Sequence, residues 1–317
     1  MKNYQVKTPI AFIIFNRPEV TERVFAEIAR ARPAKLLVVG DGARVNQEND
    51  VSMVALTREI INRVNWPCEL LTNFSEVNLG CRKRVSSGLD WVFSQVEEAI
   101  ILEDDCLPDP SFFYFCDTLL ARYRDDPRIM TICGTNLANT KDITESYYFA
   151  PIPHIWGWAT WKRVWDEYDV NMPLLNFLNS DRAFNSNLDS SELNYWLNFF
   201  NQVKKGVIDT WDVQLTYLAM TSYRLSIFPR LNLIKNIGFG ADATHTKRQN
   251  HLAELETFSA GNPLIHPKFI IPLLSAASER NKKEGIGTPR IIRAIKFLLT
   301  GYGIRYSVGR LKAYIAP

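Results

Sequence analysis

Four apolar residues at 99–102 run directly into three consecutive carboxylates, Glu103, Asp104 and Asp105. A continuous apolar run of this length is typical of a strand covered on both faces, as in a parallel sheet. Open α/β sheets bind their ligands at the carboxyl ends of such strands. Because three adjacent carboxylates repel one another, a cation is expected nearby. The pattern predicts a site for a divalent cation at a sheet edge, although a solvated acidic turn has the same composition.

Strand and helix patterns alternate through the first part of the chain. Apolar runs of strand length and helical repeats follow one another at 10–15, 18–31, 35–39, 53–64, 68–71 and 81–96. Such alternation predicts an α/β fold with a mixed, mostly parallel sheet flanked by helices. Right-handed crossovers then bring Asn16, Asp41 and the acidic triplet to one edge of the sheet.

The later part of the chain is less regular and richer in aromatic residues between 147 and 237. Further elements are predicted at 111–123, 129–133, 190–203, 212–221, 226–229 and 231–234. We expect one catalytic domain over 1–285, with a nucleotide-binding half at about 1–135 and an irregular, aromatic-rich acceptor half at about 136–250. We expect residues 286–317 to form a separate C-terminal tail.

Composition narrows the functional class. The chain is 46% hydrophobic and 22% charged, as in ordinary globular proteins, and its net charge of +3 is too small to indicate a nucleic-acid partner. Its five cysteines are scattered without metal-type spacing, which favours a reduced compartment. No apolar run is long enough to span a membrane. These features predict a cytoplasmic enzyme.

The tail at 286–317 contains six arginines and lysines and no acid, with apolar residues interleaved. A basic amphipathic segment of this kind can lie on an anionic membrane surface, which would make the protein peripheral on the inner face of the membrane. A C-terminal helix packed on the body, with its charges solvated, fits the pattern equally well.

Several motifs occur in a fixed order: Phe-Asn-Arg at 15–17, Val-Gly-Asp-Gly at 39–42, the acidic strand end at 101–105, Asp-Pro-Ser-Phe-Phe at 109–113 and the tryptophans at 156–165. In this order they resemble GT-A glycosyltransferases. The inverting families are nearest, namely the family 2 sugar transferases and the N-acetylglucosaminyltransferase I group. The resemblance covers about 9–247. It implies transfer from a UDP-sugar donor to a glycan or lipid-linked acceptor in surface polysaccharide synthesis.

The resemblance assigns roles along the acidic strand end. Asp105 would ligate Mn²⁺ or Mg²⁺ bridging the two phosphates of the donor, where the metal neutralises charge on the leaving nucleoside diphosphate. Glu103 and Asp104 would contact sugar and ribose hydroxyls.

Three other segments would bind the nucleotide. Asp41 matches the family's nucleobase position, and the turn of Asn16 and Arg17 matches a phosphate or nucleotide contact. The segment at 78–84 resembles an Asn-x-Gly turn that enters a helix, which makes Arg82 a further candidate nucleotide contact.

An inverting transfer needs a general base that deprotonates the acceptor hydroxyl. Asp212, at the start of a predicted helix, is the candidate, although an aspartate there is also an ordinary helix cap. The related group has a second acid after this aspartate where the present chain has Val213, so Asp209 is kept in reserve.

Three aromatic side chains carry open alternatives. Trp158 either stacks on a sugar ring or packs in the core, since Trp158, Trp161 and Trp165 have helical spacing. His154 either lines the site or is a core histidine. His245, in the glycine-rich segment 236–246, either completes the metal shell or is structural, and the glycines would permit a loop to close over the diphosphate.

Two rival functions remain. A nucleotidyltransferase would also hold metal at a strand end, but it should carry a glycine-rich basic loop after the first strand, where this chain has Asn-Arg-Pro-Glu at 16–19. A noncatalytic nucleotide- or carbohydrate-binding protein on the same scaffold would not need the intact acids and Asp212.

Overall fold

The computed structural model describes residues 4–180, 190–239 and 255–286. The strands within these ranges are β1 (Ile10–Ile14), β2 (Lys35–Gly40), β3 (Glu69–Phe74), β4 (Glu98–Glu103), β5 (Cys106–Pro108), β6 (Ile129–Cys133), β7 (Tyr147–Ala150), β8 (Trp158–Trp161), β9 (Leu225–Pro229) and β10 (Ile234–Asn236). The helices are α1 (Pro18–Ala31), α2 (Asp50–Ile61), α3 (Cys81–Gln95), α4 (Ser111–Tyr123), α5 (Lys162–Trp165), α6 (Leu175–Ser180), α7 (Ser190–Lys204), α8 (Val213–Ser222) and α9 (Leu274–Glu284).

The described residues form one eight-stranded sheet in the order β3-β2-β1-β4-β8-β6-β9-β7, and a second, two-stranded sheet of β10 and β5. Four of the seven neighbouring pairs in the large sheet are parallel, including the whole run from β3 to β4. The remaining three pairs are antiparallel. The expected mixed, mostly parallel sheet flanked by helices is therefore confirmed.

Helix packing on both faces explains why the central strands are so apolar. Every residue of β1 is buried, and β4 is buried at Ala99 to Leu102. Helix α1 packs on the sheet through one buried face, whose residues recur at helical spacing: Thr21, Val24, Phe25, Ile28 and Ala31. This covered sheet fixes the direction of its strands, and hence the edge at which β1, β2 and β4 all end.

Strand β8 confirms the core packing that the spacing of Trp158, Trp161 and Trp165 favoured, since all three are buried. The spacing is not that of one helix, however, because the first two belong to an antiparallel strand between β4 and β6 and only Trp165 lies in the short helix α5. Two buried residues three positions apart can lie on one face of a helix. They can equally be the first and last residues of a four-residue strand that is buried on both faces.

Strand β10 corrects one prediction. A strand was expected at 231–234, but the observed strand begins at Ile234 and pairs antiparallel with β5. Asn232, one of the residues before it, is used in a loop instead, where its side chain accepts a hydrogen bond from the Asn136 backbone N–H at 3.1 Å. The pairing places Asn236 opposite Cys106, next to the acidic triplet.

No helix in the described ranges is long and apolar enough to cross a bilayer. Of the tail predicted at 286–317, only Ile286 falls within those ranges, and its expected amphipathic helix lies outside them. All five cysteines are described and carry free thiols.

Candidate functional site at the carboxyl edge of the sheet

The parallel run of strands brings the predicted polar residues together. Strands β1, β2 and β4 are parallel neighbours, and their registers align Ile14 with Gly40 and Ile13 with Glu103. The residues that follow these strands, Asn16, Asp41 and the acidic triplet, therefore share one edge, as the sequence predicts. This edge is the usual ligand position in open α/β sheets.

Arg17 lies between two carboxylates of the triplet. Its Nη2 donates hydrogen bonds to Asp104 Oδ1 and, at 2.9 Å, to Asp105 Oδ2. The backbone N–H of Phe15 also donates to Asp104, at 3.2 Å. The side chains of Arg17 and Asp104 are 22% and 5% exposed, so water screens the pair only weakly. The cation that the acidic triplet requires is, in this arrangement, the guanidinium of Arg17.

Burial dominates the electrostatics of the two inner acids. It raises the pKa of Asp104 to about 6, against the opposing influence of Arg17. Burial also raises the pKa of Glu103 well above its usual range, and the neighbouring charges of Asp105, Asp104 and Asp212 add to that rise. Glu103 Oε1 is fully buried and has no hydrogen-bond partner among the described residues. An unpartnered buried oxygen is costly and indicates either a protonated acid or a missing ligand hydroxyl.

Asp105 is covered by the chain that leaves β10. The Ile237 N–H donates to the Asp105 carbonyl at 2.8 Å, and the Asn236 amide approaches Asp105 Oδ1 at 3.5 Å. A Cβ atom on Gly238 would lie 2.1 Å from Asp105 Oδ2 and 2.7 Å from Arg17 Nη1. Only a glycine can pack this closely against the ion pair, which gives that glycine a specific role at the site.

Asp41 is held in a backbone cradle. Its carboxylate accepts hydrogen bonds from the backbone N–H groups of Gly42 at 2.9 Å, Leu79 at 2.9 Å and Gly80 at 3.1 Å, and from the Asn78 side chain at 3.1 Å. Gly80 has a φ of +79°, which a glycine adopts without strain. Asp41 thus orders the turn before α3 in this structure, and its contact with a nucleobase stays a prediction.

Asn16 belongs to a cluster that sequence reasoning missed. Its Nδ2 donates to Asp50 Oδ1 at 2.7 Å, and Arg44 grips the same carboxylate with Nε and Nη2 at 2.6 and 2.8 Å. Arg44 also lies over the Phe15 ring, 5.3 Å from its centroid. The hydrogen bonds from Arg44, and to a lesser extent the one from Asn16, hold the pKa of Asp50 down to about 2. No local motif links Asn16 to Asp50, because 34 residues separate them.

Asp212 directly precedes α8 but does not cap it: its side chain bonds none of the described helix N–H groups, and Oδ1 accepts instead from the Thr210 hydroxyl. Its charge lies close enough to raise the pKa of both Glu103 and Cys81. The side chain therefore belongs to the acidic edge rather than to its own helix.

Asp209 and Arg82 face one another at the rim. Asp209 is 56% exposed, and its Oδ1 lies 3.9 Å from Arg82 Nε. Arg82 Nη1 also donates to the Val203 carbonyl at 3.2 Å, so the arginine links α3 to the end of α7. Its contact with a nucleotide stays a prediction.

Trp158 is not available for stacking on a sugar, which corrects that expectation. It is 1% exposed and packs face to face against Trp211, with ring centroids 5.7 Å apart. Trp156, half-buried, contacts Phe239 and His154 edge-on, at 5.8 and 4.9 Å between centroids. Trp156 therefore lies beside Phe239, which follows the residues at 237–238 that cover Asp105.

His154 is a packed histidine rather than part of the acidic edge. Its Nε2 lies 3.3 Å from Glu284 Oε1, and its Nδ1 accepts from the Trp156 N–H at 3.4 Å. His245, the predicted late metal ligand, lies outside the described residues.

No protein-family model matches the chain, and no curated protein matches it. Among solved structures, the chain is similar to a crystal structure of UDP-glucose pyrophosphorylase complexed with UDP-glucose. The identity is 8%, over 72% of this chain and 92% of the other, with a TM-score of 0.33. A likeness this weak says nothing about the chemistry of the present chain. That chemistry is inferred from the geometry of the chain's own residues.

Proposed function

We propose that this chain is a metal-dependent inverting glycosyltransferase that moves a sugar from a UDP-sugar to a glycan or lipid-linked acceptor. The observation that carries the proposal is that Asp212 does not cap its helix and that its charge acts on the buried Glu103, whose pKa it helps burial to raise. An inverting transfer needs a carboxylate of this kind opposite the leaving group. A nucleotidyltransferase would be expected to carry a glycine-rich basic loop after the first strand, where this chain has Asn-Arg-Pro-Glu at 16–19.

The acidic edge fits a divalent cation only as a site shared with the substrate. Within the described ranges, no three His, Cys, Asp or Glu side chains are grouped as a metal cluster. Asp105 nevertheless has one oxygen, Oδ1, whose nearest partners among the described residues lie at 3.5 Å, namely Asn236 Nδ2 and Cys106 Sγ. One carboxylate oxygen plus diphosphate oxygens and water is a usual shell for Mg²⁺. When bound, the cation would stabilise negative charge on the departing diphosphate.

The other residues divide the remaining tasks. Arg17 carries a permanent charge beside Asp105 and would contact the diphosphate. Glu103 and Asp104 present carboxyl groups to sugar and ribose hydroxyls, and such a hydroxyl would supply the partner that Glu103 Oε1 lacks among the described residues. Asp212 takes the proton of the acceptor hydroxyl as that oxygen attacks the anomeric carbon, so the configuration inverts and no covalent enzyme intermediate forms.

The test is the variant Asp212→Asn, which keeps the shape of the side chain and removes its basicity. We expect kcat to fall by about 10² to 10⁴-fold, with the donor affinity nearly unchanged. Asp209→Asn is the matched control, because that aspartate is three residues away and exposed. It should keep most of the activity.

Two outcomes would contradict the proposal. A greater loss in Asp209→Asn than in Asp212→Asn would move the base to Asp209. Tight UDP binding with no UDP release from any UDP-sugar, tested across a panel of glycan and lipid-linked acceptors, would instead favour a noncatalytic binding protein.

A further inference from the structure

The segment 265–274 runs beside β7, the strand at one end of the large sheet. The Ser146 N–H donates to the Ile265 carbonyl and the Leu273 N–H donates to the Phe149 carbonyl, both at 2.8 Å. The Tyr147 hydroxyl meets His266 Nδ1 at 3.0 Å. We call this segment the edge strap. Its backbone is fixed at both ends, so the direction of its side chains is fixed as well.

Large apolar side chains of the edge strap point to solvent. Ile265, Phe269, Ile271 and Leu274 are between 54% and 66% exposed. Their neighbours Ile270 and Leu273 already pack on the core, so the outward residues are not required for folding. Four large apolar groups within ten residues exceed the scattered exposure that is normal on protein surfaces.

The most exposed charged residues around this surface are basic, while Glu279, 38% exposed, offsets part of the charge of Lys283. The exposed residues between 265 and 286 are these four apolar residues, three lysines and two serines: Lys268, Lys282, Lys283, Ser275 and Ser278. The two acids of α9 are engaged by neighbours. Glu284 contacts His154 at 3.3 Å and Arg280 at 3.5 Å, while Glu279 accepts from the Asn139 N–H at 2.9 Å and lies 3.6 Å from Lys283.

We propose that the edge strap and the exposed side of α9 form a docking surface for an anionic lipid bilayer. Phe269, Ile271 and Leu274 enter the interface between headgroups and acyl chains, while the lysines contact the phosphates. Apolar groups combined with basic ones are the recognised chemistry of interfacial membrane binding.

Charge complementarity favours this occupant over two others. A second copy of the chain would bring the same three lysines against themselves, which is unfavourable. The chain's own residues 287–317 contain six basic residues and no acid, so that segment would also meet like charge here. An anionic bilayer attracts both the three lysines of this surface and the basic residues of 287–317.

The test is co-sedimentation of the full chain with vesicles of equal parts phosphatidylcholine and phosphatidylglycerol, and with vesicles of phosphatidylcholine alone. We expect binding to the mixed vesicles and little to the neutral ones. The variant Phe269→Ser/Ile271→Ser should lose at least about tenfold in partition coefficient. Lys282→Gln/Lys283→Gln should weaken binding to the mixed vesicles severalfold.

The matched control is Val51→Ser/Leu56→Ser on α2. These residues are also exposed and apolar, but their helix connects β2 to β3 at the opposite end of the sheet. The control should bind as the unaltered chain does. Far-UV circular dichroism of every variant reports folding, and UDP binding measured beside it separates this proposal from that of the donor site.

Three results would overturn the proposal. The unaltered chain could ignore both kinds of vesicle. The edge-strap variant could bind as well as the unaltered chain, which would assign membrane binding to residues 287–317 alone. Light scattering could show a dimer that Phe269→Ser/Ile271→Ser converts to a monomer, which would make a second copy the occupant.

Discussion

Replacing Arg17 by methionine tests the electrostatic core of the site. Methionine keeps the unbranched apolar stem of the side chain but leaves Asp104 and Asp105 without their guanidinium. Both carboxylates are largely removed from water, so the loss exposes each to its neighbour's charge. Removing one partner of a fully buried pair costs about 3 to 5 kcal/mol. Because Arg17 is 22% exposed, we expect about 3 kcal/mol of lost unfolding free energy at pH 8.

The pH dependence gives the sharper signature. The folded-state pKa of Asp104 is about 6, above the unfolded value of about 3.9, so the folded state favours the protonated acid. The stabilisation from this group is complete below about pH 4 and is lost as the pH rises through about 6. Without Arg17 the pKa rises further. At pH 5 the acid is neutral and needs no cation, so the cost of Arg17→Met should shrink to about 1 kcal/mol.

The measurement is urea unfolding, followed by circular dichroism, at pH 5 and pH 8. Arg44→Met is the control, since Arg44 also holds an aspartate at this edge but is about half exposed, and Asp50 keeps its bond from Asn16. Its cost should be about 1 kcal/mol at both pH values. Equal costs for Arg17→Met at pH 5 and pH 8, or a smaller cost than for Arg44→Met, would refute the assignment of Arg17 as the cation of the acidic triplet.

Two further variants separate packing from binding. Trp158→Leu should lower the free energy of unfolding by about 2 to 4 kcal/mol, because a buried indole is replaced by a smaller side chain, and leave the KM for donor and acceptor unchanged; a selective rise in acceptor KM would restore the stacking role. Gly238→Ala should weaken UDP binding by about tenfold or more and lower the Tm as well, since its Cβ must displace Asp105 or Arg17 and so disturb their ion pair; calorimetric affinity equal to that of the unaltered chain would contradict this.

The sequence predicts the sheet edge well, because hydrophobic periodicity and chain direction determine it. Helices α1 and α4 begin and end where the apolar spacing predicts, and the acidic triplet follows a buried strand. Their positions need no knowledge of distant contacts. Alternating strands and helices then determine which residues meet at the carboxyl edge.

The contacts within the site depend on pairing between distant segments and were not predictable. The sequence requires a cation near the triplet, but nothing local shows that Arg17, almost ninety residues earlier, supplies it. The partnership of Asn16 with Asp50 and Arg44 has the same cause. The sequence left Trp158 between sugar stacking and core packing, and only the pairing of β8 with β4 and β6 decides for the core.

The central claim is that the carboxyl edge binds a nucleoside diphosphate together with a divalent cation through Asp105. Isothermal titration of UDP into the unaltered chain and into Asp105→Asn, each with Mn²⁺ and with a chelator, tests it most directly. We expect the unaltered chain to bind UDP tightly only when Mn²⁺ is present, and Asp105→Asn to lose that dependence along with most of the affinity. Equal UDP affinity in all four titrations would contradict the claim.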